Sequence, residues 1–143
     1  MKALLLFCLC VYFISFAHSI PLYTEKLPNS DKIPHPCNPD EYVAGVGHED
    51  VYGGGKLNKF GEDFSKLKDW AEVCPLDSDG DGMTNGEELG DPDCVWKPGE
   101  QPARTTNITH PGVCNNRDGT ICDSSDICKL RNLIVPIAEL EIY

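Results

Sequence analysis

The sequence predicts a small disulfide-rich α+β fold, with one main helix, short strands, an acidic loop and much irregular structure. Three observations carry that reading. Six cysteines follow an apolar leader in a chain of only 143 residues. One stretch, Gly61 to Val73 (GEDFSKLKDWAEV), repeats its apolar residues at three- and four-residue spacing. Between Cys74 and Cys94 lies an acidic run punctuated by glycine.

The leader comes first. Met1-Lys2 is a short positive start, Ala3 to Phe16 is almost wholly apolar, and Ala17-His18-Ser19 places small residues at both recognition positions of a cut after Ser19. This is the layout of a secretory signal peptide, residues 1–19. The apolar stretch is short for a membrane span, and the residues from Pro21 onward are polar and turn-rich. Removing nineteen residues from 143 leaves 124, takes Lys2 away and makes the net charge of −11 into −12. The expected product is soluble, secreted and extracellular. A cut after Ala17 would instead expose His18 as an N-terminal copper chelator with a second His, but monooxygenases that use such a brace need more substrate surface than this chain can build.

Composition excludes other classes. With 12 Lys and Arg against 23 Asp and Glu, the chain has no cationic face for nucleic acid or anionic membranes. Ile20 to Pro39 carries five prolines and reads as an extended, stiffened arm. Glu41 to His48 (EYVAGVGH) is a short β-prone stretch that runs into turn chemistry at Gly53-Gly54-Gly55. The helix from Gly61 to Val73 has a Phe64, Leu67, Trp70 or Ala71, Cys74 stripe for the core, and Pro75 ends it. Gln101 to Gly112 reads as loop. Leu130 to Tyr143 is apolar enough for a strand pair or a docked tail, interrupted by Pro136.

Cys37, Cys74, Cys94, Cys114, Cys122 and Cys128 form an even set in an oxidising compartment, so a disulfide framework is the default. Six cysteines allow fifteen connectivities. Cys74 and Cys94 bracket the acidic loop, which favours Cys74–Cys94, a bridge contributing roughly 3 kcal/mol by chain entropy. Cys122–Cys128 would close a local loop and leave Cys37 for Cys114. Zinc is disfavoured, since C-x-x-C pairs and histidines at finger distances are lacking.

The acidic loop is the sharpest chemical signal. Asp77 to Glu88 (DSDGDGMTNGEE) fits the D-x-D-x-D-G-x5-E spacing of a calcium-binding loop at every specified position. Asp77, Asp79 and Asp81 take positions 1, 3 and 5, Met83 offers its carbonyl, Asn85 reaches directly or through water, and Glu88 closes the site in bidentate fashion. Gly82 permits the turn at position 6. Calcium is a hard cation that wants six to eight oxygens, which this set supplies. Thr84 stands where a paired sensor loop carries an apolar β-branched residue, and Pro75 prevents a long entering helix. The loop therefore reads as a structural extracellular module, with affinity expected near the 10⁻⁴–10⁻³ M class. His35, His48 and His110 read as surface loop residues. Asn107-Ile108-Thr109 is a glycosylation sequon, with Asn107 the acceptor. No nucleophile elbow, P-loop or H-E-x-x-H motif occurs, so the chain is read as non-enzymatic.

Three blocks carry a family likeness: Ile33 to Phe64 with its G-V-G-H and G-G-G strings, Cys74 to Trp96 with N-G-E-E-L-G-D-P and C-V-W, and Ala103 to Gly112 with T-H-P-G. In this order they resemble the temptins, secreted molluscan components of water-borne attraction pheromones. The resemblance divides the chain into a temptin-like domain at 20–112, containing the loop at 77–88, and a cysteine-containing extension at 113–143. It implies a diffusible, non-enzymatic signal acting with other secreted proteins, such as attractin-type peptides, on an unknown receptor. It also implies family disulfides among Cys37, Cys74 and Cys94. Many members carry a second cysteine beside the one matching Cys94, where this chain has Asp93, so Cys37 is expected to bridge into the extension. Exposed aromatics such as Tyr23 and Tyr42 would present a partner surface. The rival class is a calcium-binding matrix or shell-associated structural protein, although the acids are spread rather than clustered as a mineral face requires.

Overall fold

The computed structural model describes residues 24–122. The leader, Tyr23, Cys128 and the apolar tail lie outside that range.

The N-terminal segment is not the free arm its prolines predict. After a 3-10 turn at Thr24–Lys26, Leu27 and Pro28 are buried and Ile33 is fully enclosed in the core. Proline has no N–H to leave unsatisfied, so a proline-rich segment enters an interior at low hydrogen-bonding cost. Asn29 fixes the entry from a left-handed backbone (φ 52°). Its Nδ2 donates to the carbonyls of Leu89 and Arg104 at 2.9 and 2.8 Å.

Strands β1 (Pro34–His35) and β2 (Asn38–Tyr42) pair antiparallel, with a register irregularity between Pro34 and His35. His35 stabilises their turn, its Nδ1 accepting from the backbone N–H of Cys37 and of Asn38. The strand thus begins before the β-prone stretch and ends at Tyr42, two residues into it and ahead of Gly45. Val43 is buried beyond it, and Ala44 to Leu57 returns as a loop over the next helix.

The expected single helix is two. Helix α1 (Lys59–Leu67) starts at an Asn58 cap whose Oδ1 accepts from Gly61 N at 2.9 Å. It ends at Lys68, which is left-handed (φ 60°) and donates its N–H to the Phe64 carbonyl. Asp69 then caps α2 (Trp70–Val73), accepting from Ala71 N. An aspartate that bonds its own downstream N–H competes with helix continuation, and the break re-aims the apolar stripe. Leu67 is left partly exposed while Trp70, Val73 and Cys74 turn into the core with Phe60 and Phe64.

A third helix, α3 (Asn85–Leu89), leaves the acidic loop. Thr84 and Glu87 form a reciprocal capping box at its start, and Gly90 closes it in the left-handed region. Cys74 and Cys94 are bonded, with Cα atoms 5.7 Å apart. Cys122 pairs with Cys114 rather than with Cys128. The Asp118-Gly119 turn brings Asn115 opposite Ile121, and Cys122 N donates to the Cys114 carbonyl, so these two cysteines meet by local folding. Cys114 is therefore unavailable to Cys37. Cys37 is itself disulfide-bonded and tied to neither Cys74 nor Cys94.

Helix α3 lies directly on the Cys74–Cys94 bridge. A Cβ at Gly86 would stand 2.4 Å from Cys74 Sγ and 2.6 Å from the Asp91 carbonyl oxygen. Because both neighbours are fixed, Gly86→Ala is expected to cost ~2–3 kcal/mol by overpacking. Denaturant midpoints of the two proteins check this, and an unchanged midpoint would mean that the bridge yields.

Candidate functional site

The acidic loop folds around its own first carboxylate. Asp77 Oδ1 accepts from the N–H of Gly80 and of Asp81 (2.8 and 3.1 Å), and Oδ2 accepts from Gly82 N at 2.9 Å. Asp79 Oδ1 accepts from Asp81 N, and Asp81 Oδ1 from Met83 N. Gly80 and Gly82 have φ near +81° and +88°, the freedom this winding requires. One oxygen each of Asp77, Asp79 and Asp81 lies within 4.8 Å of the others. Oxygens sharing one calcium at 2.3–2.6 Å stand no more than about 5 Å apart, so the trio has a compatible span.

Asn85 and Glu88 enter from α3, both essentially inaccessible to solvent. Asn85 Nδ2 donates to the Val73 carbonyl at 2.8 Å and to Ser78 Oγ at 2.9 Å, and Ser78 Oγ in turn donates to Asp63 on α1. This fixes the amide so that Oδ1 faces away, without a hydrogen-bond partner among the described residues. Among the described residues three buried oxygens lack any hydrogen bond: Asp79 Oδ2, Asn85 Oδ1 and Glu88 Oε2. They belong to loop positions 3, 9 and 12. Orphaned buried acceptors are costly, and three in one oxygen-rich loop match the demand of a hard cation.

The electrostatics agree. Burial pushes the Glu88 carboxyl up to about 9, and the charges of Asp79, Asp81 and Asp77 push the same way. Asp79 is pushed up to about 6, mainly by burial and then by Asp81. Without a cation this loop holds protons where exposed carboxyls do not.

Two contacts from the C-terminal side escaped the sequence reading. Thr109 Oγ1 donates to Glu88 Oε1 at 3.1 Å, and Asn115 N donates to Asp81 Oδ2 at 2.9 Å. They span 21 and 34 residues, and no local spacing announces them. The sequon Asn107 is exposed on the same segment. Asp91, one residue past the α3 cap, was also missed. It accepts from Trp70 Nε1 at 2.7 Å and from the N–H groups of Val95 and Trp96.

The histidines differ from expectation. His48 is half-buried, while His35 and His110 are buried. His110 Nδ1 accepts from Gly112 N, which leaves the proton on Nε2.

These features define a disulfide-stapled domain organised around an acidic loop. Residues 17–113 match the family profile described as Temptin C-terminal. A temptin from Aplysia californica is 51% identical over 100 residues, covering 68% of this chain and 80% of that protein. The chain belongs to the temptin family. No solved structure matches it. The Cys114–Cys122 hairpin lies beyond the profile.

Burial pushes His110 down to about 4, and neighbouring His35 adds to the effect. The unfolded side chain takes up a proton below about 6.5 and the folded one does so only near 4. Stability should therefore fall as pH drops through that window, by roughly 3 kcal/mol from this group. Denaturation between pH 7 and 4, at one fixed calcium concentration throughout, measures the slope. His110→Gln is expected to flatten it, and an equal slope in the variant would assign the acid sensitivity elsewhere.

Proposed function

We propose that this protein is a secreted, water-borne pheromone component, non-enzymatic, that acts together with other secreted proteins and is held in shape by disulfides and bound calcium. Membership of the temptin family at 51% identity is the observation that carries the signalling role. Among the described residues no helix is long and apolar enough to cross a membrane. Its partners are other secreted pheromone proteins, of which attractin-type peptides are the expected class, and a receptor on the responding animal. Tyr42, exposed at the end of β2, belongs to a candidate contact surface. Asn107 is the proposed glycan acceptor.

The role is tested by where the endogenous protein goes. Mass spectrometry of water conditioned by the animals is expected to recover an intact chain beginning near Ile20, active in attraction assays with co-secreted proteins. Retention in mineral or tissue matrix, with little in the water, would overturn the signal in favour of the structural reading.

Calcium rests on the three orphaned oxygens. Asp77, Asp79, Asp81, Asn85 and Glu88 would hold the ion with the Met83 carbonyl, and the ion would supply only charge neutralisation and cross-linking. At ten times its Kd, calcium is expected to stabilise the fold by ~1.4 kcal/mol, a rise of about 6–10 °C in melting temperature. Glu88→Gln spares the fold the cost of protonating a buried carboxyl, so it should melt no lower than wild type in chelator and should lose the calcium response. A melting temperature unchanged across millimolar calcium would remove the metal and leave the family assignment intact.

A further inference from the structure

Between α1 and the returning loop Ala44–Leu57 lies a cleft of about 460 Å³, unrelated to the acidic loop. That volume falls within the range of small-molecule sites, about 300–1,000 Å³. Leu27, Val46, Leu57, Phe60 and Phe64 form apolar walls. No carboxylate is among its described lining residues, and Lys68 is the one Lys or Arg there. Lys68 is exposed and makes no ion pair among the described residues, whereas Lys59 and Lys66 on the same helix pair with Glu62 and Asp63.

The walls are fixed rather than loosely apposed. Ala44 N and Gly45 N both donate to the Val51 carbonyl, Asn58 N donates to the Gly47 carbonyl, and Asn58 Nδ2 holds the carbonyls of Val46 and His48. At Gly61 the loop touches the helix backbone to backbone, since a Cβ there would stand 1.9 Å from Gly47 O. The contact pins the loop to the first turn of α1, while Phe64, Ser65 and Lys68 line the cleft further along the helix. Pinned walls prevent an apolar void from collapsing, so a ligand would enter a site already formed.

We propose that this cleft binds a small amphiphile with an apolar chain and an anionic head, of the medium-chain fatty acid class, the chain lying against Phe60 and Phe64 and the head meeting the Lys68 ammonium. The proposal is independent of the calcium loop and adds a small-molecule ligand to a protein read above as acting through protein partners.

The test titrates the full mature chain, in calcium, with decanoate and separately with decanol below their aggregation limits. Calorimetry is expected to give saturable binding of one decanoate per chain and a raised melting temperature. Ser65→Trp, placed on the exposed helix surface to fill the cleft, should abolish binding of both probes. Lys68→Glu should weaken decanoate about fivefold, as an exposed ion pair would, and leave decanol unchanged. Both variants alter exposed side chains, and their melting in ligand-free buffer checks the fold. Absence of saturable binding, or binding indifferent to Ser65→Trp, would overturn the site. Equal loss of decanol and decanoate in Lys68→Glu would overturn the anionic head.

Discussion

The contact of Gly86 with the Cys74–Cys94 bridge sets the position of nearly everything else in the domain. Helix α3 is only five residues long and could not hold itself in place in water. It is held because its backbone rests against a disulfide sulfur and the Asp91 carbonyl, with no side chain between. Once α3 is seated, Leu89 faces the core, Asn85 reaches the end of α2, and Glu88 points back at the three aspartates. The N-terminal segment then closes over it through Asn29, which binds the Leu89 carbonyl and that of Arg104. A glycine, a bridge and two short caps do here what a larger hydrophobic core does in larger domains.

Two buried carboxylates, three residues apart, show how differently a small interior can treat charge. Asp91 receives the Trp70 indole N–H and two backbone N–H groups, so its oxygens are fully engaged by the protein. Glu88 receives one hydroxyl, from Thr109, and its second oxygen has no hydrogen-bond partner among the described residues. Donors within the chain satisfy the first and mark it as architecture. The unmet oxygen of the second is the structural reason to assign it to a ligand.

The parts of this structure legible in the sequence are those whose cause is local. The acidic loop depends on residue types at fixed offsets within twelve positions, and its winding follows from Asp77 and two glycines. The helix was visible as a periodicity, but its break was not, because Lys68 carries no sign of a left-handed backbone. Asp69 and the Thr84–Glu87 pair are residue types that cap helices, but neither entered the sequence reading as a cap, and both caps emerge only in the structure. What stayed hidden was long-range. The burial of the proline-rich segment depends on Asn29 meeting carbonyls 60 and 75 residues away. The docking of Thr109 and Asn115 onto the loop, and the burial of two histidines, likewise come from tertiary packing that no spacing encodes.

Asn85 has a consequence for how this loop could change over evolutionary time. Its amide nitrogen is committed to the Val73 carbonyl and to Ser78, holding the loop against α1 and α2. An aspartate there would add a negative charge, the simplest adjustment that raises a loop's attraction for cations, but it would lose both donors and set a second charge beside Glu88. The chain cannot gain affinity at this position without loosening its own packing. Under the calcium role proposed for this loop, selection has little room to turn a permanent fastening into a responsive one, because the residue that would have to vary also holds the helices together.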